Sequence, residues 1–107
     1  MAGKRWNLGG AEIYVVLYST KHGKDIWVRS SQKSAMEVVS DVIFNTLDEI
    51  EADQEAPEVA ERLRKLLNAG KTDEAWREWA KHQGDNYNPE EIEIQKTKID
   101  EPNSIGF

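Results

Sequence analysis

Two histidines are the side chains of this chain with the clearest potential for chemistry. His22 and Asp25 lie within one polar segment, and His82 and Asp85 lie within another. Imidazole and carboxylate groups together suit zinc, iron or manganese. Both pairs fall in expected loops, and their spacing does not show whether those loops meet. We therefore interpret all four as ordinary turn residues and predict no metal site and no cofactor.

Catalytic motifs give no support for an enzyme. His22 would serve as a general base only beside a nucleophile and an orienting group. The chain has no Gly-x-Ser-x-Gly, His-Glu-x-x-His or glycine-rich phosphate motif. Gly9-Gly10 precedes a strand, whereas a phosphate loop follows one. The absence of cysteine removes thiolate catalysis and disulfides. We predict a non-enzymatic protein without catalytic residues.

The strongest signal in the sequence is a block of negative charge. No lysine or arginine occurs between Lys33 and Arg62, and the segment has a charge of about −9 while the whole chain has −6. A dense anionic surface attracts basic partners and repels phosphate, so we predict no direct binding of nucleic acid. The carboxylates of this block are Glu37, Asp41, Asp48, Glu49, Glu51, Asp53, Glu55, Glu58 and Glu61.

Length and hydropathy indicate one domain. The 107 residues fit a single core, and we predict a domain over 1–99 with a tail over 100–107. No window approaches the roughly 18 apolar residues that a membrane span needs. Lys4 and Arg5 near the N-terminus have no apolar segment behind them, unlike a signal peptide. We therefore expect a cytoplasmic protein without membrane contact.

The first elements predicted are two strands of an antiparallel hairpin. Ile-Tyr-Val-Val-Leu-Tyr over 13–18 is typical of a strand covered on both faces. A turn over 19–24 has Gly23 available for a positive φ. The second strand, 25–29, alternates polar and apolar residues. We expect Ile26 and Val28 to face the core, with Trp27 on the other face, either under another element or exposed.

A long amphipathic helix should follow, in which Ser34 and Glu37 fit a capping box, with a start at Ser31 as the alternative. Segment 51–56 has no periodicity and predicts a loop. The apolar residues at helical spacing, which define the predicted buried stripe, are Ala35, Val38, Val39, Val42, Ile43, Leu47 and Ile50.

Two shorter helices are predicted next. The first starts at Pro57 and stops at Gly70, and the second is capped by Thr72 and ends at Gly84. The short connection predicts an antiparallel pair. The predicted inner faces comprise Val59, Leu63, Leu66 and Leu67 in the first helix, and Ala75, Trp76, Trp79 and Ala80 in the second.

A closing strand completes the fold. Segment 91–98 alternates glutamate, isoleucine and other polar residues, with Ile92 and Ile94 on one face. The element order ββαααβ predicts an α+β domain in which a small three-stranded antiparallel sheet is packed by about three helices.

The hairpin turn carries a resemblance. The residues from Lys21 to Val28, with His22-Gly23 and Asp25, resemble a loose group of small bacterial and phage proteins. These have a strand, a His-Gly-x-Asp turn, a second strand, a helix, an acidic middle and a closing strand of glutamate and isoleucine. The resemblance covers about half of the chain, through 13–28, 35–49 and 87–94. It implies the fold and a prokaryotic or phage origin, and it brings no function.

These observations predict a regulatory or protein-interaction domain, although carboxylates on an outer helix face are often only solvating. We expect a protein partner with a basic surface, and a homodimer is also an open option. The alternative is an acidic mimic of nucleic acid that inhibits a host defence nuclease or a DNA-binding protein. Partner-binding residues predicted for these functions are Asp41, Asp48, Glu49, Glu51, Asp53, Glu55 and Glu58, with Trp27 and Trp6 as aromatic contacts.

Overall fold

The computed structural model describes residues 12–98 and contains one sheet and three helices. The predicted α+β fold and its ββαααβ order are confirmed. The elements in chain order are β1 (Glu12–Thr20), β2 (Gly23–Arg29), α1 (Gln32–Ala52), α2 (Pro57–Asn68), α3 (Thr72–Gly84) and β3 (Glu91–Lys98).

The sheet has the order β2-β1-β3, and both strand pairs are antiparallel. β1 therefore lies in the centre. Its Val16 pairs with Trp27 on one side and with Ile94 on the other. Thr20 pairs with Gly23, so the predicted hairpin closes through two residues, and Gly23 has a φ of 136°, a conformation that glycine adopts without a steric penalty.

The predicted orientation of β2 is wrong. Ile26 and Val28 remain 60% and 56% exposed, whereas Trp27 is half-buried against the core. The cause is the register, since a residue opposite Val16 must point to the same side of the sheet as that fully buried valine. Trp27 therefore contributes to the core face, and the two aliphatic side chains lie on the opposite face.

β1 is also not enclosed on both faces by the described elements. Val16 is its one fully buried residue, with Tyr14 and Tyr18 packed beside it against the core. Val15 and Leu17 point to the other face, where they neighbour Val28 and Ile26. Within 12–98, the helices pack on only one of the two faces.

Helix α1 supplies most of the core. Its N-cap is Ser31, whose Oγ accepts a hydrogen bond from the backbone N–H of Ser34 at 3.1 Å. The alternative start at Ser31 is thus correct, the capping box of Ser34 with Glu37 is wrong, and the helix continues through Glu51 and Ala52, into the segment that was predicted as a loop. All seven residues of the predicted buried stripe are buried, together with Thr46.

Helices α2 and α3 join as predicted through a left-handed Gly70, whose φ is 76°, and the N–H of Lys71 donates to the carbonyl of Leu66 at 2.9 Å. The predicted cap of α3 is wrong by one residue. Lys71 occupies the N-cap and Thr72 is the first helical residue, without a side-chain cap.

The inner face of α3 is rotated from the prediction. Ala75, Trp79 and Gln83 are buried, Trp76 is half-buried, and Ala80 is exposed. Gln83 faces inward because its Oε1 accepts hydrogen bonds from Asn86 Nδ2 and from the N–H of Glu90, at 3.1 and 3.0 Å. This side chain thereby ties the connection to β3 to the end of the helix.

Tyr18 leads to a prediction about alkaline stability. Its half-buried hydroxyl donates to Glu90 Oε1 at 2.5 Å. Burial first, and then this hydrogen bond, raise the pKa of Tyr18 well above its ordinary value of 10. Because folding favours the neutral phenol, the stability that Tyr18 contributes is fully present below pH 10. It is lost as the pH rises further. Tyr18→Phe should remove this alkaline loss of unfolding free energy.

Urea unfolding over a pH series crossing pH 10 measures the effect. Tyr14→Phe, a change on the same strand and face, serves as the control and should follow the wild type. An equal alkaline loss in wild type and Tyr18→Phe would contradict the assignment.

Candidate partner-binding surface

The outer face of α1 carries one continuous row of side chains. Its members follow at intervals of four, three, four and three residues, which places them on one side of a helix. All are exposed. This row, called the α1 stripe below, consists of Glu37, Asp41, Phe44, Asp48 and Glu51.

Phe44 is the centre of the α1 stripe. Its ring is 54% exposed on the side of the helix opposite the core, although phenylalanine is among the residues that folding most often buries. Asp41 lies three residues before it and Asp48 four residues after it, so both carboxylates neighbour the ring. The surface therefore combines an apolar centre with an anionic border.

Helix stability does not explain the carboxylates of the α1 stripe. Asp48 and Glu51 lie toward the C-terminal end of α1, whose last turn has no basic residue. A negative charge near a helix C-terminus opposes the helix dipole and costs about 0.3–1 kcal/mol. Glu37 and Asp41 are like charges at a spacing that adds repulsion. Asp48 and Glu51 therefore do not stabilise the helix, so contact with a partner explains these two carboxylates better than helix stability does.

The acidic block also lacks internal neutralisation. Across residues 12–98, Glu61 is the one carboxylate of the block that pairs with a cation, Lys65 at 3.7 Å. Glu49 accepts a hydrogen bond from Gln54 instead, at 3.3 Å. The α1 stripe thus presents its charge to solvent and to any partner.

The seven predicted acidic contact residues do not form a single surface. Asp41, Asp48 and Glu51 belong to the α1 stripe. Glu49 and Asp53 line a cleft beside His22, between the hairpin turn and the end of α1. Of the other two, Glu55 lies in the exposed linker with a φ of 52°, and Glu58 lies in the first turn of α2.

The two histidines lie in different surroundings. His22 is exposed in the hairpin turn, whereas His82 is half-buried with its Nε2 2.6 Å from Gln54 Oε1. Asp85 borders the same cleft as His82, and this cleft does not include His22 or Asp25. No group of three or more His, Asp or Glu side chains in the described part of the chain is placed to hold a metal ion.

Of the two predicted aromatic contacts, one lies within the described residues. Trp27 keeps part of its indole accessible while packing against the core. Trp6 lies outside the described residues, as does the predicted tail over 100–107. Phe44 was not among the predicted contacts. The signal for it was present, since position 44 is out of phase with the buried stripe and in phase with Glu37, Asp41, Asp48 and Glu51.

Comparisons with protein-family models, with curated proteins and with solved structures found no match to this chain. The resemblance to small bacterial and phage proteins therefore stays a prediction. Among the helices described, none has both the length and the apolar character needed to cross a bilayer.

Proposed function

We propose that this chain is a non-enzymatic, cytoplasmic interaction domain that binds a protein through the α1 stripe. The partner would offer an apolar pocket for Phe44, surrounded by lysine or arginine side chains that bond the flanking carboxylates. Electrostatic attraction would speed the encounter, and the ring would supply most of the affinity.

The exposed ring of Phe44 is the observation that carries this proposal. Solvation of an outer helix face requires only charged side chains, and a ring that is 54% exposed does not contribute to it. Buried aromatic anchors ringed by polar groups are, in contrast, the usual centres of protein interfaces. The position of this ring between Asp41 and Asp48 matches that arrangement.

An acidic mimic of nucleic acid is the second candidate. It is supported by the exposed carboxylates of the acidic block, eight of which pair with no cation within residues 12–98 and could occupy a groove that binds phosphates. Such a mimic would act through charge alone and would not need Phe44. The two candidates therefore predict different effects of removing the ring.

The first test is capture from a lysate of the source organism, followed by elution with salt. A partner held by the α1 stripe should be released as salt shortens the Debye length from about 10 Å at 0.1 M to about 3 Å at 1 M. The double reversal Asp41→Lys/Asp48→Lys should lose that partner at low salt, since it places cations against a basic surface.

The matched control is Asp73→Lys/Asp85→Lys, which changes net charge equally at exposed carboxylates at the two ends of α3. It should retain the partner. Equal loss in both double variants would show a net-charge effect and contradict a localised α1 stripe. Equal retention in both would contradict any role for the stripe.

A further inference from the structure

β2 has one edge that no other described strand covers. The sheet order β2-β1-β3 places β1 on one side of β2, and within residues 12–98 no strand pairs with β2 on the other side. The register between β2 and β1 is continuous, without a bulge, and β2 contains no proline. Its aliphatic residues Ile26 and Val28 are both more than half exposed. A strand edge of this kind is a template for pairing with another chain.

The hairpin determines which backbone groups lie on this edge. Only two residues separate the paired Thr20 and Gly23, so this closing pair is a hydrogen-bonded one. Bonded and non-bonded pairs alternate from there, and the residues of the non-bonded pairs direct their N–H and C=O groups away from β1. These outward residues are Lys24, Ile26 and Val28. The side chain of Arg29 agrees with this assignment, because its Nη1 donates to the carbonyl of Val28 at 3.1 Å.

The edge is complementary to itself in the antiparallel direction. Its sequence, Asp25-Ile26-Trp27-Val28-Arg29, has opposite charges at its two ends and an aliphatic residue on each side of the tryptophan. A two-fold axis at Trp27 sets Asp25 opposite Arg29 of a second copy, and Ile26 opposite Val28. Pairs of opposite charge and pairs of apolar side chains both stabilise neighbouring strands. The backbone permits this register, because Ile26 and Val28 are both outward residues and meet as hydrogen-bonded pairs.

The charges of β2 are available for such pairing, whereas those of β3 do not match. Neither Asp25 nor Arg29 has an ion-pair partner among the described side chains. Antiparallel self-pairing of an edge sets outward residues opposite outward ones. On β3 the glutamates occupy odd positions and the lysines even positions, so its carboxylates would never lie opposite its lysines. Charge complementarity therefore selects the edge of β2, with a second copy as its occupant.

We propose that two copies of this chain associate through the free edge of β2 and join their sheets into one continuous antiparallel sheet. The two half-buried indoles of Trp27 become neighbours on the two-fold axis. The exposed bond from Arg29 to the carbonyl of Val28 is replaced by a backbone bond, which frees the guanidinium for Asp25 of the other copy. The contact area is small, so the dimer should be weak and reversible.

Sedimentation velocity of the full chain tests the proposal over about 1 μM to 1 mM, the range of a weak association. Salt at about 0.15 M screens the repulsion between two copies that each carry a net charge of −6. The wild type should shift from monomer to dimer as its concentration rises. Asp25→Arg and Arg29→Asp each set like charges opposite one another at two places. Each should raise the dissociation constant at least about tenfold.

Two rescue experiments distinguish this register from a general charge effect. The double reversal Asp25→Arg/Arg29→Asp keeps the wild-type net charge and restores both opposite-charge pairs, so it should dimerise like the wild type. An equimolar mixture of the two single variants should form a heterodimer, because one edge then carries only basic residues and the other only acidic ones. Urea unfolding checks that each variant is folded.

Three results would each overturn the proposal. They are a wild type that stays monomeric throughout the concentration range, single variants that dimerise as the wild type does, and a mixture that forms no heterodimer.

Discussion

Trp79→Ala should lower the free energy of unfolding by about 3–5 kcal/mol, the usual cost of deleting a buried aromatic side chain. Trp79 is fully buried, and its indole N–H donates to Thr46 Oγ1 at 3.0 Å. The hydroxyl of Thr46 in turn donates to the carbonyl of Ile43 at 2.7 Å. The indole therefore fills the space between α3 and α1 and also bonds across it. Urea unfolding measures the loss.

Such a loss is a large share of the 5–15 kcal/mol that stabilises a typical domain, so a milder variant is needed as well. Thr46→Val keeps the shape of the side chain and leaves the indole N–H without its acceptor, which should cost about 1–3 kcal/mol. The control is Trp76→Ala, because Trp76 lies one turn away and is only half-buried. A cost at Trp76 equal to that at Trp79 would contradict the assigned packing.

Phe44→Ala should weaken binding of the captured partner by at least about thirtyfold, which corresponds to the 2 kcal/mol or more of an interface hot spot. The domain itself should change by no more than about 0.5 kcal/mol, since truncating an exposed side chain leaves no internal cavity. Titration calorimetry with the purified partner measures the first quantity and urea unfolding the second. The prediction requires that binding falls while stability does not.

Tyr87→Ala provides a matched control for the loss of an exposed aromatic ring. Tyr87 is 97% exposed in the connection between α3 and β3, and it is not part of the α1 stripe. Its removal should leave the affinity unchanged. If Phe44→Ala also left the affinity unchanged while Asp41→Lys/Asp48→Lys abolished binding, the result would contradict the aromatic anchor and favour the nucleic-acid mimic.

The helices could be predicted because their apolar residues repeat at one clear period. The buried stripe of α1 follows that period for four turns, and each predicted member is buried. Gly70 was predictable for a different reason, since the end of a helix favours a residue that tolerates positive φ. Both signals come from residues that are close in sequence, so they can be recognised without knowledge of tertiary contacts.

The orientation of β2 was not predictable by the same means. Asp-Ile-Trp-Val-Arg alternates equally well in either orientation, and β-branched aliphatic residues such as Ile26 and Val28 are typical of the buried side of a strand. The pairing of Val16 with Trp27 decides between them, and that pairing belongs to the register of two strands. Gln83 was missed for a similar reason, because its partners Asn86 and Glu90 become neighbours only when the chain bends toward β3.

The acidic site was predicted in composition and not in arrangement. Sequence alone shows nine carboxylates in a segment without lysine or arginine, and all nine are exposed. Their division among the α1 stripe, the cleft beside His22 and the linker depends on where α1 ends. Because the helix continues through Glu51 to Ala52, Glu51 joins the α1 stripe instead of a loop.

The central position of β1 has a consequence for how the domain folds. Glu12 and Lys98, which pair, stand 86 residues apart (98 − 12), so the sheet joins a strand made early to one made late. Long-range pairing of this kind slows folding, because much chain entropy must be lost before the contacts form. On the ribosome, β1 can pair with β2 early. Its other edge stays unpaired until β3 is made, after all three helices have been synthesised. The free edge of β1 is then a point where chaperones would act or where nascent chains would associate.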